Sequence, residues 1–280
     1  MKKITLIFGL VAFSTIVRAQ NGLEQIIVEK YYVSNAADAA GSIGILPVGS
    51  VTYRIYADLL PGYRFQAAYG SPEHELKIET STSFFNNMEH GSTIPNVIPQ
   101  RTLKKNTVML DSWLSVGSAG EDCFGVLKTD DDSLETIDHE KKFLKNVNPN
   151  TGESLTIKDG LVKGENIPRP TFFAIDNEVE IFGNMKSGSS FILTNGAWAC
   201  LGGSVGSDSL KTNRVLIAQM TTDGDFSFEL NLQIGTPLQG VFQRYVARNP
   251  IDNEISIPSL IYFDRKERFK KEKEKKVKIN

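Results

Sequence analysis

The sequence predicts an all-β protein: an antiparallel β-sandwich, with a jelly roll among the topologies that fit, long loop insertions and a basic C-terminal tail. Short segments of alternating apolar and polar residues recur along the chain, and turn sequences rich in Gly, Pro and Asn separate them. The pattern contains no amphipathic helix longer than about three turns before residue 264 and no alternation of strands with helices. An apolar fraction of 40% is typical of a globular domain.

The sequence up to residue 80 predicts two strands with a hairpin between them. Residues 25–33 form a β-branched and aromatic run, which favours an opening strand. Residues 50–69 alternate on both sides of Pro61-Gly62, and this pattern predicts a hairpin. Residues 74–80 alternate again and predict a further strand.

The middle of the chain predicts one strand between two long loops. Residues 86–102 are rich in Asn, Gly and Pro and predict a loop. Residues 107–116 are mainly apolar and predict a strand. Residues 128–170 have little periodicity and predict a loop excursion with a short helix at 138–144.

The last third has the clearest alternation. Asn195-Gly196 separates two apolar segments within 190–201 and is the strongest two-residue hairpin signal in the chain. Asp223-Gly224-Asp225 separates 214–222 from 226–234 and predicts a second hairpin. Two further strands are expected within 238–247 and 254–263.

The N-terminus has the three parts of a secretory signal peptide. Met1-Lys2-Lys3 is basic, residues 4–17 are apolar, and Val17-Arg18-Ala19 matches a signal-peptidase site with cleavage after Ala19. The apolar run is shorter than the roughly 20 residues that span a membrane, so no transmembrane anchor is expected. We therefore expect a secreted or periplasmic protein, for which nucleotide cofactors are poor candidates.

Charge divides the mature chain into two parts. The predicted tail at 265–280 contains nine Lys/Arg and three Glu. With the three basic residues of the signal peptide set aside, the predicted β-sandwich domain at 20–264 carries a net charge of −11. An acidic domain repels phosphate backbones, so no nucleic-acid partner is expected, and oligomeric state is left open.

The two cysteines allow two interpretations. In an exported protein, Cys123 and Cys200 are candidates for a disulfide. Such a bond would close a loop of about 78 residues and stabilise the fold by roughly 4 kcal/mol. The alternative is a pair of buried free thiols, because Cys packs well as a small apolar residue.

Signals for nucleophilic or zinc chemistry are scarce. The chain has no Gly-x-Ser-x-Gly motif and only three histidines. His74, in the run Glu73-His74-Glu75, is a candidate base or metal ligand, and the alternative is a solvated strand end. No His-x-x-x-His or Cys-x-x-Cys occurs, so a zinc site is not expected.

A pair of carboxyl groups is the remaining sequence feature that could indicate an enzyme. A glycoside hydrolase needs two carboxyl groups beside a sugar-stacking aromatic ring. Asp111 and Trp113 lie on one face of the predicted strand, with a loop acid such as Asp122 as partner. The alternative is that Trp113 belongs to the core and Asp111 is a buried polar anchor.

Two kinds of binding site remain. Exported β-sandwiches often bind a structural calcium ion through loop oxygens, and Asp130, Asp131 and Asp132 are the candidate ligands; no other cofactor is expected. Carbohydrate binding needs exposed aromatic rings, for which Trp113 and Trp198 are the candidates.

Four sequence runs together resemble an uncharacterised secreted all-β module that recurs in exported proteins of Bacteroidota and marine bacteria. They are EKYYVS at 29–34, LPVGSVTYRIY at 46–56, LDSWLSVG at 110–117 and NGAW at 195–198. The resemblance covers residues 23–263. It implies secretion and a β-rich fold and carries over no catalytic residue.

These observations favour a secreted, non-catalytic module that binds a glycan or another cell-surface component. The scarcity of histidine and the absence of a nucleophile motif argue against catalysis. The alternatives are a polysaccharide-active hydrolase or lyase that uses Asp111 with a loop acid, and a structural subunit of an extracellular assembly.

Overall fold

The computed structural model describes residues 21–138, 144–145, 155, 157–183 and 186–266. The predicted signal peptide, most of the helix expected at 138–144 and most of the basic tail lie outside the described residues. The strands are β1 Leu23–Val33, β2 Val51–Leu59, β3 Arg64–Gly70, β4 Leu76–Thr80, β5 Trp113–Leu114, β6 Ser118–Gly120, β7 Cys123–Gly125, β8 Leu161–Lys163, β9 Thr171–Phe173, β10 Ser190–Leu193, β11 Gly196–Ser204, β12 Arg214–Thr222, β13 Phe226–Glu229, β14 Leu232–Gly235, β15 Phe242–Tyr245 and β16 Ile261–Asp264.

Helices are few and short in this part of the chain. The α-helices are α1 Ala36–Gly41 and α2 Gln100–Leu103, and 3₁₀ turns lie at Pro95–Val97, Asn106–Leu110, Val179–Phe182 and Pro258–Leu260. Among the described residues, no helix has the length and apolar composition that a membrane crossing requires. The all-β prediction is therefore confirmed.

The strands form four antiparallel sheets across the described ranges. Sheet A has the order β1-β2-β12-β5, and sheet B the order β15-β14-β3-β11-β9. Sheet C has the order β10-β4-β13-β16, and sheet D the order β6-β7-β8. Neighbours in space are mostly distant in sequence, which makes the topology non-local.

Sheet A is the central layer of the molecule. One of its faces presents Tyr53, Ile55 and Val215 to a large apolar core that includes residues of sheets B and C. The opposite face presents Tyr56 and Leu216 to a second core, formed largely by the chain between 85 and 161. Both faces of β2 and β12 are therefore buried, which explains why nearly every residue of these two strands is inaccessible.

The three predicted hairpins are wrong, because each predicted turn leads from one sheet to another. The turn at Pro61-Gly62 joins β2 of sheet A to β3 of sheet B. Asn195-Gly196 lies between β10 of sheet C and β11 of sheet B. Asp223-Gly224-Asp225 joins β12 of sheet A to β13 of sheet C. Turn residues indicate where the chain reverses, but they do not specify which strand supplies the hydrogen-bond partner.

The strand predicted at 107–116 is also mostly wrong. Residues Asn106–Leu110 form a 3₁₀ turn, and only Trp113–Leu114 pair with β12. Val108, Met109 and Leu110 are consecutive apolar residues that are all buried in the second core. A short apolar run without alternation does not distinguish a strand from a buried turn.

The alternating segment 226–234 forms two strands rather than one. Its first half is β13 in sheet C, and its second half is β14 in sheet B. The predicted alternation holds through this change, because five apolar residues are buried to 1% exposure or less. They are Phe226, Phe228, Leu230, Leu232 and Ile234.

Asn231 holds the corner where this segment passes from one sheet to the other. Its side-chain amide donates to the backbone carbonyls of Tyr69, His74 and Glu75 at 3.0–3.2 Å. Its side-chain oxygen accepts the backbone N–H of Ala247 at 3.0 Å. Since Asn231 is only 1% exposed, these backbone groups have no access to water through this position.

Replacing this corner residue should destabilise the whole domain. Asn231→Ala removes three hydrogen bonds to backbone carbonyls and leaves the buried Ala247 N–H without its acceptor, so we expect the free energy of unfolding to fall by about 3 kcal/mol or more. Urea denaturation followed by circular dichroism measures this change. Asn253→Ala, at an exposed loop position, is the matched control, and equal stabilities of the two variants would contradict the role of Asn231.

Cys123 and Cys200 are free thiols in the structure, the second of the two alternatives. Cys123 belongs to the second core, on the face of sheet A that the residues between 85 and 161 cover. Cys200 belongs to the large core that sheet A shares with sheets B and C. Burial raises the pKa of the Cys123 thiol to about 11, and the Gln100 side-chain amide donates to its sulfur at 3.1 Å. Both cysteines act as small apolar residues.

Thiol titration tests this arrangement. The native protein should react slowly with Ellman's reagent, because burial limits access and keeps the thiols protonated. The denatured, unreduced protein should show two reactive thiols per chain. Finding none would contradict the separate placement of the two cysteines and restore the disulfide.

Two buried carboxyl groups tie loops to the core beneath sheet A. Asp38 accepts the Asn35 backbone N–H at 2.8 Å and the Tyr32 hydroxyl at 3.1 Å. Asp159 accepts backbone N–H groups from Thr136 at 2.7 Å and from Ile137 at 2.9 Å. Burial raises the pKa of each carboxyl to about 6.

These raised pKa values predict greater stability under mildly acidic conditions. An unfolded Asp has a pKa of about 3.9, so the folded state binds protons more tightly. The contribution is fully present below pH 4 and is lost as the pH rises through 6. Thermal unfolding at pH 5 and pH 7.5 should show a gain of a few degrees at pH 5. Asp159→Asn and Asp38→Asn should each reduce that gain, and an unchanged gain in both would refute the assignment.

Candidate functional site

A cleft with a volume of about 1380 Å³ lies on the outer side of sheet B. Strands β3, β14 and β15 supply side chains to it. Its walls are the loops at 71–74, 236–241 and 251–255. The loops are far apart in sequence, and the order of sheet B brings them together.

One end of the cleft is apolar. Leu238, Val241 and Phe242 line it and are exposed, with Phe242 45% accessible. Phe242 pairs across the sheet with Gly235, so no side chain of β14 covers its ring. Tyr63 adds an aromatic ring to the same wall. Exposed apolar side chains grouped around a cavity are typical of a binding site.

Arg244 lines the polar part of the cleft, next to its apolar end. It lies two residues after Phe242 on the same face of β15, and its guanidinium carbon is 5.4 Å from the centre of the Phe242 ring. Among the described residues, no carboxylate lies within 4.0 Å of its guanidinium nitrogens. Gln233 faces Arg244 across the strand pair and donates to Gln66 at 3.0 Å. Arg244 therefore offers donor groups to a ligand.

A histidine–carboxylate pair joins two loops of the cleft wall. The Nε2 atom of His74 is 2.8 Å from Oε2 of Glu254, and their side chains are 5% and 14% exposed. The same Glu254 oxygen accepts the backbone N–H of Ile251 at 2.9 Å. The backbone N–H of His74 donates to the carbonyl oxygen of Ser71 at 3.1 Å. This pair fixes the shape of the wall.

The Tyr69 hydroxyl lies beside this pair. It is buried and has no hydrogen-bond partner within the described part of the chain. Burial, together with the charge of Glu254, raises the pKa of Tyr69 to about 12, and the charge of Arg244 opposes this rise. An unsatisfied buried hydroxyl costs about 1–3 kcal/mol, so a polar group that reached it would be stabilised.

The structure corrects the expectation that Trp113 and Trp198 bind a ligand. Trp113 is 2% exposed and packs in the core beneath sheet A. Trp198 is fully buried, and its indole N–H donates to the carbonyl oxygen of Ile217 at 3.2 Å. Both rings belong to the core, so neither offers a surface for stacking.

Asp111 is the buried anchor of a loop. Its carboxylate accepts the backbone N–H groups of Asn87 at 2.6 Å and Ser92 at 2.9 Å. Burial raises the pKa of Asp111 well above its ordinary value. The residue is fully buried and does not line the cleft. Its contacts correspond to the alternative of a polar anchor rather than to a catalytic acid.

The three acids proposed for calcium are engaged separately. Asp130 pairs with Arg214 at 2.6 Å. Asp131 accepts the backbone N–H of Gly160 at 2.7 Å, and Asp132 accepts that of Leu134 at 2.9 Å. Within the described ranges, no group of three or more metal-ligating side chains is arranged to hold an ion.

Only part of the cleft is predictable from the sequence. His74 was a candidate, because a histidine between two glutamates stands out in the sequence. Phe242 and Arg244 were not, although they share one face of a segment predicted as a strand. The sequence feature that could have indicated them is the spacing of Phe242 and Arg244, because an aromatic ring and a cation at positions i and i+2 lie on the same face of a strand.

Comparison with known proteins gives no indication of function. No protein-family model matches the chain. The curated proteins and the solved structures give no match either. The comparisons therefore indicate no function, and the function is inferred from the residues of the site.

Proposed function

We propose that this protein is an exported, non-catalytic binding module whose ligand is a glycan held in the cleft on sheet B. The main support for this proposal is that an exposed aromatic ring, Phe242, lies beside the hydrogen-bond donors of Arg244 in a cleft of about 1380 Å³. Apolar walls with a few placed polar groups are typical of ligand sites. Export is inferred from the signal-peptide pattern of residues 1–19.

The chemistry of a sugar matches both parts of the cleft. A sugar ring has apolar C–H surfaces that pack on an aromatic face, and Phe242 presents such a face. Its hydroxyl groups both donate and accept hydrogen bonds. Arg244 supplies donors, and Asp252 and Asn253 supply acceptors in the same wall.

The arrangement of the titratable groups favours binding over catalysis. The Oε2 atom of Glu254 already accepts two hydrogen bonds, from His74 and from the backbone of Ile251. Asp111, the acid that a hydrolase would have used, is buried in a separate part of the fold. Each of these groups has a structural role that accounts for its position.

Paired variants test the proposal. A second aromatic–arginine pair lies outside the cleft, where the Arg265 guanidinium is 5.9 Å from the Phe263 ring, and Phe263 is 60% exposed. On an array of immobilised glycans, Phe242→Ala and Arg244→Ala should each weaken binding of mature 20–280 by about tenfold or more, which corresponds to about 1.4 kcal/mol.

Phe263→Ala and Arg265→Ala are the matched controls, and they should bind as the wild type does. Circular dichroism melting curves confirm that all four variants are folded. Equal losses in both pairs, or binding unaffected by Phe242→Ala, would show that the cleft is not the glycan site.

A further inference from the structure

We infer that the cleft on sheet B selects an uncharged oligosaccharide of several rings over acidic glycans and over basic peptides. This inference rests on the proposed function and specifies its ligand class. It follows from three properties of the cleft: its size, the change of polarity along β15, and the charges of its walls.

The size of the cleft indicates an oligomeric ligand. Pockets for drug-sized molecules usually have volumes of about 300–1,000 Å³, and this cleft has about 1380 Å³. Strand β15 rises about 3.4 Å per residue, so Phe242 and Arg244, which both line the cleft, are about 7 Å apart along it. The loops at 236–241 and 251–255 extend the cleft beyond both ends of the strand. A single sugar ring would leave most of this space unfilled.

The polarity of the cleft changes along this length. The end near Leu238 and Phe242 is apolar, and the end near Arg244 and Glu254 is polar. One ring of the ligand can therefore pack its C–H face on Phe242. The next ring can direct its hydroxyl groups to Arg244. A chain of linked sugars presents both surfaces at once.

The charges of the walls disfavour an acidic glycan. Glu73, Asp252 and Glu254 line the cleft, and Arg244 is its single Arg or Lys among the described lining residues. Glu73 and Asp252 are exposed, and neither forms an ion pair within the described residues. The domain at 20–264 also carries a net charge of −11. A uronate or sulfate group would be repelled by this field.

A basic peptide is disfavoured by the position of Arg244. A cationic side chain binds most favourably over an aromatic face. In this cleft the Arg244 guanidinium is already within 5.4 Å of the Phe242 ring centre. An incoming cation would meet a like charge at the one exposed aromatic position of β15. An uncharged ligand avoids both repulsions.

Isothermal titration calorimetry of mature 20–280 tests the inference. The neutral probes are cello-, xylo-, manno- and laminari-oligosaccharides of two to six rings, and the acidic probes are alginate and polygalacturonate oligosaccharides of the same lengths. We expect at least one neutral series to bind more tightly with increasing length. Its affinity should change by less than about twofold between 20 and 300 mM NaCl, because no ion pair with the ligand forms.

A charge-neutralising variant provides the sharpest comparison. Glu73→Gln combined with Asp252→Asn removes two negative charges from exposed positions. In this variant the affinity for acidic oligosaccharides, measured relative to the affinity for the neutral series, should be several-fold higher than in the wild type. Phe242→Ala should weaken binding of the neutral series.

The outcomes separate the two proposals. Salt-sensitive binding of acidic oligosaccharides that Phe242→Ala and Arg244→Ala abolish would overturn the inference and leave a glycan-binding cleft. Acidic binding that persists in both variants lies outside the cleft and, together with neutral binding inside it, supports the inference. Absence of binding to every probe would overturn the proposed function itself.

Discussion

The rest of the structure depends on the hydrogen bonds that the side-chain amide of Asn231 forms with the backbone. Asn231 lies where one alternating segment passes from sheet C into sheet B, and it satisfies backbone groups from β3, from the turn before β4 and from the residues after β15. A buried backbone group without a partner is costly, so this corner needs a side chain that both donates and accepts. The same contacts position His74, and through it the wall of the cleft.

A second constraint comes from the burial of sheet A on both faces. The chain between 85 and 161 covers one face, and Arg54 on β2 provides a polar attachment for it. The Arg54 guanidinium lies 3.5 Å from the centre of the Tyr31 ring and donates to the carbonyl oxygen of Gly160 and to Gln219. A buried cation is tolerated only with such partners. The described residues between 85 and 161 thus form a covering layer of the core.

Rigid surroundings make the cleft suitable for recognition. Its walls are loops, but Glu254 links the loop at 251–255 to His74, and Asn231 links His74 to the core. Phe242 and Arg244 are presented by a strand, so their relative position follows from the pleat of the sheet. A site with fixed groups loses less conformational entropy when a ligand binds. For the proposed oligosaccharide ligand, this arrangement would lower the entropic cost of binding.

The sequence by itself determined the all-β class and the inner face of most strands, because alternation with a period of two directs Phe226 and Ile234 to the same core wherever their strand lies. It did not determine which strands are neighbours. The turns at Pro61-Gly62 and Asn195-Gly196 have hairpin composition, yet both cross between sheets, since turn chemistry is local and pairing is not. Only the tertiary structure brought Phe242, Arg244 and Glu254 to the turn that holds His74. It also placed Trp113 and Trp198 in the core, because burial depends on the layers that cover a strand.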